Sequence, residues 1–321
     1  MKKERLFWSA LLALLYSSGA SASCGAAFCT INTSWDVQGA WQEPGARVDL
    51  RYEYIRQDQP MTGSDKIDVG ELPRHHDEVE TTSQNLVASI DYTINQDWGI
   101  AATLPIIHRA HEHIHHHQGS PHVETWNFTR VGDVRVLARR RLATFEDAAR
   151  PSIGTAGLNF GLKLPTGRTR VANDEGLLAE RSLQPGTGTT DFLIGGYYSH
   201  ALPLGGLSWF VQGLLQLPLG FHDGYRPGKQ LTLDTGVRYA LDERASLMLQ
   251  ANFLARSRDR GELAERDDSG GRALFVGPGV SYALTERLQA YAFLQVPLYQ
   301  YVNGVQLGTR YAVALGVSSR F

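Results

Sequence analysis

The sequence predicts an all-β chain closed as an antiparallel transmembrane β-barrel of about 12 strands, with short periplasmic turns and long extracellular loops. Three observations predict it. Segments of roughly ten residues alternate apolar and polar side chains, the period of a strand with two unlike faces. Short and long connections alternate along the chain, as the two rims of such a barrel require. No apolar run reaches the roughly 18 residues a spanning helix needs, yet the chain opens with an export signal. Composition agrees, since 33 glycines in 321 residues and 10% aromatics suit turn-rich β structure. A net charge of −2 offers no basic surface for nucleic acid.

At the N-terminus, Lys2, Lys3 and Arg5 precede the apolar stretch Leu6 to Tyr16, and Ala20-Ser21-Ala22 gives the small-x-small cleavage pattern. Residues 1–22 therefore read as a signal peptide. Acylation at Cys24 is the weaker reading, because Ser21 stands where a bulky aliphatic residue is expected. Cys24 and Cys29 are the only cysteines, and in an exported protein they most simply form a local disulfide. A thiolate metal or redox site is the alternative. Residues 23–45 precede the first strand and form a plug in the lumen, a periplasmic docking element or a disordered leader. Trp35 and Trp41 could anchor either of the first two.

The barrel occupies residues 46–321. VDLRYEYI puts Val48, Leu50, Tyr52 and Tyr54 on one face, against Asp49, Arg51 and Glu53. Strands centred near Ser89 and Thr103 follow, joined by INQDW. The next pair centres near Val136 and Phe160, joined by FEDAARPS, a link longer than its place in the alternation calls for. Strands near Gly195 and Gln212 meet at PLGG. LTLDTGVRYAL sets Leu231, Leu233, Val237, Tyr239 and Leu241 against Asp234 and Arg238, and DERA leads to SLMLQANFLA around Gln250. Strands near Gly279 and Phe293 meet at TER, and the last centres near Leu315. The long connections are Gln57 to Glu80, His108 to Arg130, Pro165 to Thr189, Phe221 to Lys229 and Ser257 to Gly271. One helix-compatible stretch, EGLLAERSL, lies between strands. An even strand count returns both termini to the periplasmic side. Trp98 beside the INQDW turn and tyrosines near other strand ends fit an interfacial girdle. A soluble sandwich also alternates its strands, but nothing forces its long loops to one side.

The chain ends RYAVALGVSSRF, an alternating strand finishing on Phe321. This resembles the signal by which outer-membrane barrels are recognised, and it implies the barrel-assembly machinery and outer-membrane lipid as partners. Ser319 departs from the residue type usual there. GLNFGLKLPTG (Gly157 to Gly167), TGTTDFLIGGYYSH (Thr187 to His200) and WNFTRVGDVRVLARRRL (Trp126 to Leu142) resemble strands of the outer-membrane channel family called "MetA-pathway of phenol degradation". The resemblance implies a small-molecule channel or transporter and names no substrate.

With apolar residues toward lipid, the opposite face lines a pore with Asp49, Arg51, Glu53, Asp91, Asp133, Arg135, Arg139, Arg141, Lys163, Asp191, Asp234 and Arg238. Such charges must pair or stay wetted. Arg135, Arg139 and Arg141 share one face and form either a basic ladder for anions or part of a salt-bridge network. AHEHIHHHQGSPH holds six of the 11 histidines. His108, His111, His113, His115, His116, His117 and His122 fall in the second long loop, and His75 and His76 in the first. At one rim they form a candidate surface for Zn, Cu or Ni, with no cofactor required. H-x-H spacing also puts two ligands on one side of an extended strand. A polar, pH-responsive loop is the bland alternative. Carboxylates at ligand spacing are sparse and no H-E-x-x-H occurs, so a metallohydrolase is unsupported. Ser199 and His200 are adjacent and point to opposite faces, so no catalytic pair and no enzyme is expected. The functional expectation is a channel for small solutes with a histidine-rich rim. The alternative is a non-conducting scaffold or metal-binding barrel that docks a periplasmic partner, with an outer-membrane lipase or protease as a minor one.

Overall fold

Strand alternation sorts this chain onto the two sides of a single sheet. The computed structural model describes residues 31–34, 44–73, 76–117, 120–147, 152–202 and 206–321. The signal peptide, Cys24, Cys29, Trp35, Trp41 and His75 lie outside the described residues. The strands are β1 (Gly45–Gly63), β2 (Asp65–Lys66), β3 (His76–Thr93), β4 (Trp98–His117), β5 (Ser120–Val131), β6 (Val134–Asp147) and β7 (Ser152–Leu164). There follow β8 (Asp191–Ala201), β9 (Leu207–Pro218), β10 (Gln230–Ala240), β11 (Ala245–Arg256), β12 (Gly271–Ala283) and β13 (Leu288–Arg320). All pairings are antiparallel, and β13 pairs with both β12 and β1, which closes the sheet into a barrel.

Two elements need unfolding to count the wall. β13 pairs with β12 as far as Val302 and with β1 at Val302 and from Val305 onward, so it doubles back at Asn303-Gly304. Gly304 has φ +61°, a left-handed conformation open to glycine at no steric cost. The Gln300 side chain clasps the main chain of Thr309, donating to its carbonyl and accepting from its N–H. β5 and β6 both lie on β4, separated only by Gly132-Asp133, and so act as one interrupted strand. With β2 a two-residue appendage, the path agrees with the expected count of about 12.

The radial order is inverted relative to a soluble domain. Leu50, Ile90, Ile100, Leu158, Ile194, Val237, Leu249 and Leu315 are exposed on the outer face, whereas Asp49, Glu53, Asp91, Asn159, Lys163, Asp191, Gln250 and Asn252 are buried on the inner one. Lipid supplies the apolar phase that a soluble fold finds in its core. At one end the turns are short and share one chemistry. Asn95, Asp242 and Thr285 each turn a side-chain oxygen back onto two main-chain N–H groups two and three residues on. Outward aromatics gather at this end: Trp98 lies under the Arg140 guanidinium, 5.0 Å away, and Tyr198 packs on Trp209 at 5.2 Å. β6 and β7 pair down to Asp147 and Ser152.

The first two expected loops need correction. Most of Gln57 to Glu80 and His108 to Arg130 is paired strand: β1 runs to Gly63, β3 starts at His76, and β4 and β5 pair from Ile106–Val131 out to His117–Ser120. Beyond the apolar band each face mixes polar with apolar side chains, so composition no longer shows the period, although ladder hydrogen bonding continues. The connections after β7, β9 and β11 are irregular, and EGLLAERSL forms turns there.

Candidate functional site

The end opposite the short turns is covered by these three connections, and a buried charge cluster ties the longest of them to the wall. Lys163, 3% exposed on the inner face of β7, places its ammonium 2.8 Å from Asp133 Oδ2 and 3.4 Å from Asp191 Oδ2, and donates to the Thr189 carbonyl at 2.9 Å. It also donates to the Thr187 hydroxyl. Asp133 accepts from Gly167 N–H through Oδ1 and from Thr187 N–H through Oδ2, each at 3.0 Å. One carboxylate therefore holds both ends of the 165–190 connection. Those ends touch: a Cβ on Gly186 would sit 2.4 Å from the Gly167 carbonyl oxygen, so glycine is required. The quoted segments of the sequence resemblance thus meet in space as a latch.

Between its latched ends the connection packs inward. Val171, Ala179 and Leu183 are buried with Trp126 and Phe128 of β5 and Leu307 of β13. Arg109, 2% exposed, donates to the Leu183 carbonyl at 2.7 Å. Arg181 lies 4.8 Å from the Tyr225 ring centre in the 219–229 connection. Tyr225 donates at 2.7 Å to Asp259 in the 257–270 connection, and Asp259 also takes Gly228 N–H and the Arg256 guanidinium, both at 2.7 Å. Asp259→Ala leaves three buried donors facing one lost acceptor, a cost of about 3 kcal/mol. The expected result is hydrogen exchange in 219–229 and 257–270 faster by roughly a hundredfold, with the wall strands unchanged. Unchanged exchange in both connections would refute this account of how they are held.

Nearer the short turns the interior holds part of the N-terminal segment. Asn32 receives paired hydrogen bonds from one side chain: its N–H donates to Gln250 Oε1 at 3.0 Å and its carbonyl accepts from Gln250 Nε2 at 2.9 Å. Its own amide reaches Gln212 and Asp234. Arg51 donates to the Thr33 hydroxyl, and Ile31 packs with Met248, Tyr291 and Phe293. The described part of this segment, Ile31 to Ser34, therefore lies against inner faces of the wall.

Other inward charges are paired locally. Arg51 meets Glu53 at 2.8 Å, and Asp91 sits between Arg139 at 3.2 Å and Arg47 at 3.8 Å. Arg135 donates to Gln216, while Asp49 accepts from Tyr291 and Asp234 from Asn252. Arg135 and Arg139 thus have different partners, and Arg141 and Arg238 share the inner face half-buried. Ser199 is buried on the inner face, whereas His200 faces outward and contacts Tyr198.

Among the described residues, His76, His108, His111, His113, His115, His116, His117 and His122 lie on strands and not in a loop, and they divide by face. A bulge at Val79 shifts the β3–β4 register, so that His76 and Glu78 share a face with Thr81, opposite His115, His113 and His111. His76, His111 and His113 are buried, and the His76 and His113 rings are 4.9 Å apart. His116 turns to Asp77 at 2.7 Å, His108 to Thr129, and His122 lies exposed near Glu175. The side chain of His117 lies outside the described residues. Sequence spacing missed the carboxylates that join them: Glu78, Glu124 of β5, Glu180 and Glu265. His76 Nε2 is 3.6 Å from Glu78 and 3.3 Å from Glu180, while His113 Nε2 is 2.9 Å from Glu124. Burial, with Glu78 beside it, pushes the Glu180 carboxyl up, and burial next to Glu180 and Glu78 does the same to Glu265. Burial opposes charge on His76, but its hydrogen bonds to Glu180 and Glu78 prevail and raise it. Burial lowers His111.

The description "Putative MetA-pathway of phenol degradation" belongs to a family model that matches residues 154–315, half of the chain. No curated protein matches in sequence. Among solved structures, the COG4313 outer membrane channel from Pseudomonas putida F1 is similar at a TM-score of 0.65 and 14% identity, over 91% of this chain and all of that one. A NanC porin (TM-score 0.46, 12% identity, 85% of this chain, 100% of that one) and a Pseudomonas aeruginosa FadL homologue (0.42, 11%, 92% and 96%) show remoter likeness. With its closed wall, outward apolar face and matched segment, this chain belongs to the Putative MetA-pathway of phenol degradation family and is a bacterial outer-membrane β-barrel.

Proposed function

We propose that this barrel is a channel for small solutes whose aperture is set by two inserts, the Ile31–Ser34 segment and the latched 165–190 connection. The observation that carries the reading is a closed wall with polar and charged rows facing inward and apolar rows facing lipid. The similar Pseudomonas putida F1 protein is described as an outer membrane channel, which supports the same class here. In this reading the short turns face the periplasm and the three folded connections face outside. Asp49, Arg51, Glu53, Asp91, Arg135, Arg139, Arg141, Asp234 and Arg238 line the path, whereas Asp133, Lys163 and Asp191 hold its cover. Around the mouth, His108, His115, His116 and His122 give a weak capture surface for Zn, Cu or Ni.

The two inserts favour a second reading, a plugged scaffold that conducts only when a periplasmic partner withdraws the N-terminal segment. A planar bilayer separates the two. The refolded mature protein is expected to give discrete single-channel current steps. A correctly folded barrel that stays silent would overturn spontaneous conduction and leave the plugged scaffold.

A further inference from the structure

We propose that His76, Glu78, His113 and Glu180 form a buried binding site for one divalent transition-metal ion, with zinc the best match, which fastens the 165–190 connection to the wall. One ligand atom from each residue lies within 4.8 Å of the others. Two imidazoles and two carboxylates at that spacing make a four-coordinate N/O donor set. The site differs from the exposed rim surface in burial and in its two carboxylates, and it does not depend on conduction.

Three features make it a built site. His113 Nε2 faces the Glu124 carboxylate, which only accepts, so Nε2 carries the proton and Nδ1 the lone pair. Nδ1 is buried without a hydrogen-bond partner. A carboxylate fixing the far nitrogen is the usual outer support of a metal-bound histidine. Glu180 Oε2 and Glu265 Oε2 are likewise buried without a hydrogen-bond partner, while His76 Nε2 reaches the other oxygen of Glu180 at 3.3 Å. Buried carboxylates pair, take up protons or coordinate metal, and a divalent ion would bind these oxygens directly. A cavity lined by His115, Ser120, Pro121, His122 and Glu124 adjoins the carboxylate that orients His113.

The ligands come from β3, β4 and the 165–190 connection. Binding therefore adds a cross-link between wall and cover that the Asp133 latch, at the ends of that connection, does not provide. Unlike the latch, this link responds to metal supply.

The test uses the refolded mature protein in micelles, dialysed against ZnCl₂ and read by metal content per folded chain and by calorimetry. One zinc per chain is expected, with an X-ray absorption first shell of N and O at about 2.0–2.1 Å. Glu180→Gln, a change in a connection that spares the wall, should weaken binding at least a hundredfold, and His113→Ala should do the same. Glu124→Gln should weaken it roughly tenfold to a hundredfold. The rim double variant His116→Asn/His122→Asn should bind within about threefold of the parent. Absence of stoichiometric zinc from the folded parent would overturn the proposal. So would a parent-like Glu180→Gln, or loss of binding in the rim variant alone. Since no current is measured, a silent barrel does not affect the result.

Discussion

Lys163→Met is expected to lower the unfolding free energy of the barrel by about 3–5 kcal/mol, because it strips the one ammonium from between two buried carboxylates. Asp133 and Asp191 are 9% and 0% exposed, and water cannot take over the role of the lysine without opening the latch. Asp133 keeps the Gly167 and Thr187 main-chain donors and Asp191 keeps the Thr189 hydroxyl and the Gln216 amide, so the penalty falls on the uncompensated charge of the two carboxylates and on the unsatisfied Thr189 carbonyl. A urea titration in micelles, followed by tryptophan fluorescence, reads the shift. The double variant Lys163→Met/Asp133→Asn should recover part of the loss, since the lysine and its closer carboxylate act as a coupled pair. A parent-like midpoint for Lys163→Met would show that the cluster is solvated in practice and holds nothing.

Gln250→Leu removes both hydrogen bonds to the Asn32 main chain and leaves that buried N–H and carbonyl unmet. Each unmade bond in such a place costs about 1–3 kcal/mol, so occupancy of the lumen by Ile31 to Ser34 should fall roughly tenfold to a hundredfold. In a planar bilayer the open fraction should rise by that factor, while the wall, whose ladder hydrogen bonds are untouched, keeps its thermal stability. Equal open fractions in variant and parent would mean that this segment does not limit the current.

Strand number, direction and facing were legible because a lipid-exposed strand has to alternate. Asp49 and Glu53 between Val48, Leu50 and Tyr52 admit one orientation only in a barrel whose outer face is apolar. The same logic fails past His108, where no lipid enforces the pattern and the ladder continues under mixed polar and apolar side chains on both faces. The histidine–glutamate cluster is half visible in the sequence. H-x-H at 111–113 stands out, but H-x-E at 76–78 points to the same place only once the Val79 bulge sets the register. Glu180 joins from a connection whose path depends on Asp133, 47 residues earlier, and no spacing rule encodes that. The latch residues carry the family resemblance, yet their joint role needs the fold: in the sequence alone Lys163 and Asp191 are two more charges along a pore.

The clasp on Asn32 has a mechanical consequence. Its N–H and carbonyl are gripped by one amide, and its side chain by two further residues, so a tug along the barrel axis loads these bonds side by side and not one after another. Bonds loaded in parallel share the force and fail together. The segment should therefore withstand a weak pull with little creep and let go abruptly at a threshold, behaving as a catch that a firm tether can spring and thermal jostling seldom does.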